Sequence, residues 1–330
     1  PDGLKVAFAF ENNLYVKDLI SGKTTQITSD GQVNKIINGI TDWVYEEEFY
    51  FVRAFEWNTG SDKIAFIRFD ESEVPEFAMD MYGNELYPGQ MVFKYPKAGE
   101  KNSEVSLHLY DLKTAKSSKL DLGNNLQHYI PGIQWSNDPN TLAVTTLNRH
   151  QNNMNLLFVD SKTLKARLVL NEKDAAYIKL ADDLTFLHDN SFIWSSERDG
   201  FNHLYHYDKT GKLINQITKG NWEVTDFYGY NGQTQTIFYQ STEDGSTNRS
   251  IYSIGITGNN KKKLSKNKGT NSAVFSSSFQ YYINTFSSTD RPFVYTLNDS
   301  STGEVIKEIK NNNALKAKTD LYRVPVKEIY

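Results

Sequence analysis

Three consecutive carboxylates, Glu46, Glu47 and Glu48, follow directly on the run Trp43-Val44-Tyr45. Negative charge concentrated beside large apolar side chains suits one task, the gripping of a small cation where little solvent screens the attraction. Asp42 can serve as an N-cap, so a short helix over about residues 43–52 is expected. At about 3.6 residues per turn, Glu47 and Glu48 point about 100° apart and can converge on one cation. A peptide ammonium offers a tripod of donors that two carboxylates can satisfy from different sides. The competing reading is a solvated acidic turn whose Trp43 and Tyr45 are simply core residues, because charge runs are usually exposed faces. On residue types alone the solvated turn is the preferred reading.

The surrounding chain must supply a scaffold, and it is repetitive. Leu14-Tyr15-Val16-Lys17-Asp18 leads into Ser21-Gly22-Lys23, and Leu107-His108-Leu109-Tyr110-Asp111 into Lys113-Thr114-Ala115. Leu156-Leu157-Phe158-Val159-Asp160 and Leu204-Tyr205-His206-Tyr207-Asp208 repeat the pattern, with weaker copies at residues 251–259 and 293–303. The last two reference aspartates follow at steps of 49 and 48 residues. Short strands, Gly/Asn/Ser turns and a period in the forties mark a β-propeller, in which each period is one four-stranded blade. A second repeat, Trp57-Asn58-Thr59-Gly60 through Phe66 and Trp135-Ser136-Asn137-Asp138 through Val144, reads as a turn followed by a buried inner strand. Residues 1–8 match the same element without its beginning, so the chain is expected to start inside a blade. The interval from Asp18 to Asp111 is about twice the others. An insertion at about residues 40–100 is preferred there over a hidden blade, and insertions into regular scaffolds often carry function.

Composition narrows the function classes. A net charge of −4 argues against a nucleic-acid binder. With 20 Tyr and 19 Phe against 8 Pro, the 330 residues lean towards strands and can fill a core. No apolar run approaches the roughly 18 residues of a membrane span. Cysteine is absent, which excludes disulfides and thiolate metal sites. The six histidines (His108, His128, His150, His188, His203, His206) are scattered, and His203 and His206 fall on opposite faces of a strand. Lys261-Lys262-Lys263 reads as a solvated turn, and phosphate-cradling glycine loops are absent. No metal or cofactor is expected.

Residues 40–49, Ile-Thr-Asp-Trp-Val-Tyr-Glu-Glu-Glu-Phe, closely resemble the signature of the dipeptidyl peptidase IV family, prolyl-oligopeptidase-type serine peptidases. The resemblance extends to Asp70 through Pro75, Tyr95-Pro96-Lys97-Ala98-Gly99, Ser195 through Tyr205, and Lys219-Gly220-Asn221-Trp222-Glu223-Val224. These segments follow the family's order and suggest a bacterial, Bacteroidetes-like member. Prolyl tripeptidyl peptidase and fibroblast activation protein share the architecture, so the subfamily is less sharply indicated than the family.

The resemblance implies part of an eight-bladed propeller over residues 1–312, with the first blades missing and a short helical insertion carrying the glutamates. Residues 313–330 would lead to an absent α/β-hydrolase domain. Glu47 and Glu48 match the family glutamates that grip a substrate's free amino terminus, and Glu46 matches a structural one, with Trp43 and Tyr45 as support. Tyr177 falls where a covering aromatic residue is usual, although the local pattern there differs. The family's carbonyl-binding arginine would precede residue 1. The implied activity is release of N-terminal X-Pro or X-Ala dipeptides, and the implied partners are free-amine peptides, the hydrolase domain and a second copy of the chain. A periplasmic, cell-surface or secreted location is implied as well. Serine catalysis needs a Gly-x-Ser-x-Gly elbow, which this sequence lacks, so no catalytic residue is assigned and this chain alone is expected to be inactive. The alternative is a non-catalytic propeller that binds protein or glycan.

Overall fold

The computed structural model describes residues 1–123, 129–180 and 183–322. Two compact units divide the chain after residue 178. The chain is almost entirely antiparallel β-structure, as the repeat predicts. Unit 1 opens with β1 (Lys5–Phe10), β2 (Asn13–Asp18) and β3 (Thr24–Gln26), one three-stranded sheet. The second sheet holds β4 (Ile36–Asn38), β5 (Phe55–Trp57), β6 (Lys63–Asp70), β9 (Glu104–Asp111) and β10 (Lys116–Lys119). Helix α1 (Trp43–Glu48) lies between β4 and β5, and a separate hairpin, β7 (Glu76–Met81) with β8 (Gly89–Lys94), lies between β6 and β9. The interval of double length therefore holds one sheet, a helix and a hairpin. The third sheet is β11 (Tyr129–Trp135), β12 (Thr141–Leu147), β13 (Asn153–Asp160) and β14 (Ala166–Lys173).

Unit 2 repeats the plan three times. Its sheets are β15 (Thr185–Phe186) to β18 (Leu213–Gln216), β19 (Val224–Asn231) to β22 (Lys262–Lys263), and β23 (Thr270–Phe275) to β26 (Val305–Lys310). The strands β16 (Phe192–Ser196), β17 (His203–Tyr207), β20 (Thr236–Ser241), β21 (Ser250–Gly255), β24 (Tyr281–Ser288) and β25 (Arg291–Asp299) lie between those edges in sequence order. Helix α2 (Asn313–Asp320) follows, within the segment 313–330 expected as a linker, and residues 323–330 lie outside the described ones. Among the described residues, no helix is long and apolar enough to cross a membrane.

The six hairpins read from the sequence are β2/β3, β9/β10, β13/β14, β17/β18, β21/β22 and β25/β26. Their repeated aspartate has a local job. Asp18, Asp111, Asp160 and Asp208 each accept hydrogen bonds from backbone N–H groups two to four residues on, closing the turn. Those donors favour the charged form and hold the Asp18 and Asp160 carboxyls below the usual range, and at Asp208 the Thr210 hydroxyl does so first, with the backbone N–H groups adding to it. The core lies between successive sheets. Leu14 and Val16 meet Phe55, Ile64, Phe66 and Tyr110 in unit 1, and Ile193 and Leu204 meet Ile237, Tyr239 and Tyr252 in unit 2.

The first strand of the second sheet is split, which creates the site. Both β4 and β5 pair with β6, at Asp70–Arg68 and at Phe66–Ile64 respectively, and the chain between them leaves the sheet. Gly39 N donates to Ile67 O, Ala54 N to Gly39 O and Ile67 N to Ala54 O, closing the excursion at its root. Gly39 has φ +75, and a Cβ there would stand 3.0 Å from Leu14 Cδ1. Glycine fits this corner on both counts.

Candidate functional site

Helix α1 sits on this excursion and starts where the sequence predicts. Asp42 caps it, its Oδ1 accepting from Tyr45 N at 3.0 Å. The end comes earlier than the expected residue 52. Phe49 is the C-cap, Tyr50 turns left-handed at φ +58, and Thr41 recaptures the returning chain. Its N–H donates to Val52 O (3.1 Å) and its hydroxyl to Phe51 O (3.0 Å). A longer helix could not return to β5.

Tyr45 is the anchor. It is 1% exposed, and its ring meets Phe49, Phe51, Phe69 and Tyr129 edge-on at 4.9, 5.7, 4.8 and 6.2 Å. Its hydroxyl accepts from Ile130 N at 2.8 Å, tying α1 to the first strand of the third sheet. Burial pushes that phenol well above its ordinary range. Trp43 is half-buried with its ring 4.2 Å from Tyr95, at the base of the β7–β8 hairpin.

The glutamates behave differently from the expectation of partial desolvation. Glu46, Glu47 and Glu48 are all exposed, and among the described residues none of them has a hydrogen-bond or ion-pair partner. A six-residue helix that buries Tyr45 leaves its next three side chains to water. Glu46 sits in the first turn, where a negative charge suits the helix dipole. Glu48 also acts on Tyr129, whose phenol is raised chiefly by burial, with Arg149 opposing and Asp42 and Glu48 adding smaller effects.

Tyr129 and Arg149 act on each other without any sequence motif that marks them. Tyr129 Oη accepts from Asn102 Nδ2 at 2.6 Å, and the Arg149 guanidinium donates to Glu100 O. Arg149 belongs to the β12–β13 turn, about a hundred residues from the glutamates, and no local motif marks it. Tyr177 is 57% exposed in the loop after β14, its N–H donating to Asp174 Oδ1 at 3.2 Å. That loop rests on the turn bearing Arg149, through Asp174 N to Asn152 O and Ile178 N to Gln151 O. Among the described residues, no hydrogen bond, ion pair or ring contact joins Tyr177 to α1.

Three of the histidines have structural settings. His203 is fully buried, with Nδ1 3.0 Å from Thr218 Oγ1 and Nε2 2.9 Å from Gly220 O, so both ring nitrogens are engaged. Burial first, then Arg68 and Lys119, push His108 down to about 4. His206 pairs with Ser191 Oγ at 3.0 Å, and His128 lies outside the described residues. Among the described residues, no three potential metal ligands cluster.

Comparison with known proteins gives a consistent result. The family model described as "Dipeptidyl peptidase IV (DPP IV) N-terminal region" matches residues 1–293. A probable dipeptidyl peptidase 4 of Aspergillus clavatus is 31% identical over 91% of this chain and 41% of its own length. The mouse protein named inactive dipeptidyl peptidase 10 is 30% identical over 78% of this chain and 34% of its own. The crystal structure of Porphyromonas gingivalis dipeptidyl peptidase 4 superposes with a TM-score of 0.92 at 41% identity, over 97% of this chain and 45% of that one. This chain thus spans less than half the length of these relatives.

Proposed function

Since this chain belongs to the dipeptidyl peptidase IV family through its N-terminal region, we propose that it gates and reads the substrate of a serine exopeptidase. In this reading Glu47 and Glu48 take the peptide's free ammonium, and the scissile bond lies two residues on, after proline or alanine. A Ser-Asp-His triad outside this chain would transfer the acyl group to serine and then to water. The observation that carries the reading is α1 itself, a short helix fixed by Asp42 and Tyr45 that presents two carboxylates with no described partner. Such groups are available to a ligand's donors, whereas a structural ion pair would already be satisfied. Their exposure tempers the expected affinity, because solvent screens exposed charge pairs. Titration calorimetry of this chain with the dipeptide Gly-Pro and with N-acetyl-Gly-Pro tests the assignment. Binding of the free amine alone is expected, and equal heats from both would remove it.

The similarity to a relative named inactive favours a second reading, a propeller that binds without taking part in cleavage. The first reading holds that the family's catalytic domain acts alongside this region and that this chain alone cleaves nothing. Dye release from a Gly-Pro reporter by this chain would contradict it. We also assign homodimer contact to the β7–β8 hairpin, one face of which exposes Phe77, Met79, Met81 and Met91. Met79 and Met91 face each other in register. Light scattering should find a dimer that M79E/M91E converts to monomer, and an unchanged mass would sink the assignment. By family likeness the compartment is periplasmic, surface or secreted, which cell fractionation can test.

A further inference from the structure

We propose that Glu71 is a positioning residue for the amine site, acting through a buried acid pair with Asp42 that seats α1 on the base of the β7–β8 insertion. The inference rests on the amine-site reading above.

The two ends of the insertion meet beneath the helix. Glu71 directly follows β6 and Ser103 directly precedes β9. Asp42 uses one oxygen to cap α1 through Tyr45 N and the other to accept from Ser103 Oγ at 2.6 Å. Trp43 rests on Tyr95 from the same insertion. Helix α1 is therefore pinned to the insertion by one bidentate carboxylate.

Glu71 is 6% exposed, and among the described residues nothing donates a hydrogen bond to its carboxyl. Its backbone is fixed by Glu71 N to Lys35 O (2.8 Å) and Val74 N to Glu71 O (3.0 Å). The charged groups acting on it are Asp42 from the helix cap, Asp70 at the end of β6 and Lys94 from β8. Lys94 Nζ already donates to Val74 O at 2.8 Å and Ser72 O at 3.4 Å, and lies 3.6 Å from Glu76. Two carboxyls buried near one another resist holding two charges, and Lys94 offsets this at Glu71. Burial first and Asp42 next push Glu71 up to about 7, Lys94 opposing, and burial also raises Asp42.

The sign follows. Below neutrality Glu71 is uncharged and Asp42 keeps both its hydrogen bonds. Above it, a second charge beneath the cap repels Asp42 from Tyr45 N and Ser103, and α1 loosens. Losing a helix cap should weaken amine capture about fivefold.

The test is a pH series from 6 to 8.5 on this chain and E71Q, measuring Gly-Pro affinity and the NMR shift of the Tyr45 amide. Taking the ratio of the two affinities cancels titration of the dipeptide's own amine. Wild type should lose affinity relative to E71Q by about fivefold, with the Tyr45 amide moving at a midpoint near 7. In E71Q that amide should stay flat. Parallel profiles in the two proteins, or a wild-type amide with no titration, would overturn the proposal. K94M, which removes the opposing cation, should move the wild-type midpoint upward, and an unmoved midpoint would also count against it. E47Q/E48Q at pH 6 separates the two claims. Retained affinity there removes the amine-site reading, while the Tyr45 amide still decides whether Glu71 governs the cap.

Discussion

Replacing Tyr45 with alanine should lower stability by about 3–5 kcal/mol, as removal of a large buried aromatic residue does. The ring is enclosed by four other aromatic rings from the excursion, from β6 and from β11, so little can collapse into the space. Its hydroxyl also satisfies the N–H of the fully buried Ile130. Y45F separates the two contributions. It keeps the packing but strands that N–H, at a cost of about 1–3 kcal/mol. Urea denaturation of the three proteins, followed by tryptophan fluorescence, would measure both. A change in Y45A no larger than that in Y45F would show that α1 is not packed as described. Y45A should also lose amine capture, because the helix that presents the glutamates has lost its root.

Removing the two charges at the tip should do the reverse, costing function and sparing the fold. E47Q and E48Q should each weaken Gly-Pro binding by roughly five- to tenfold, and the double variant by about fiftyfold. The discount from a buried ion pair reflects their exposure. No described group depends on either carboxylate for a hydrogen bond, so thermal unfolding should not move. A double variant that binds as tightly as wild type would move the site elsewhere on the chain.

The scaffold was legible because its signals are local. Each repeated strand ends in an aspartate that caps its own turn, and alternating apolar residues mark the face turned to the next sheet. Asp42 likewise announces the start of α1 through a bond only three residues away. The end of α1 was not legible, since Tyr50 turns left-handed only because Thr41 must recapture Phe51 and Val52 across the excursion. The glutamates differ from the expected partial burial for a related reason. Trp43 and Tyr45 do pack as apolar neighbours should, but a helix this short cannot carry the following side chains into the core with them. Ser103, Tyr129, Arg149 and the burial of Glu71 could not be read at all. Each is brought to α1 by strand pairing and sheet packing over tens of residues, and none sits in a motif that names its partner.

The most direct test is a thermodynamic cycle in which Gly-Pro and N-acetyl-Gly-Pro are titrated into wild type and into E47Q/E48Q. An ammonium held by two carboxylates predicts a clear preference for the free amine in wild type that disappears in the variant. A preference of equal size in both proteins, or none in either, would mean that these glutamates do not recognise a peptide's amino terminus.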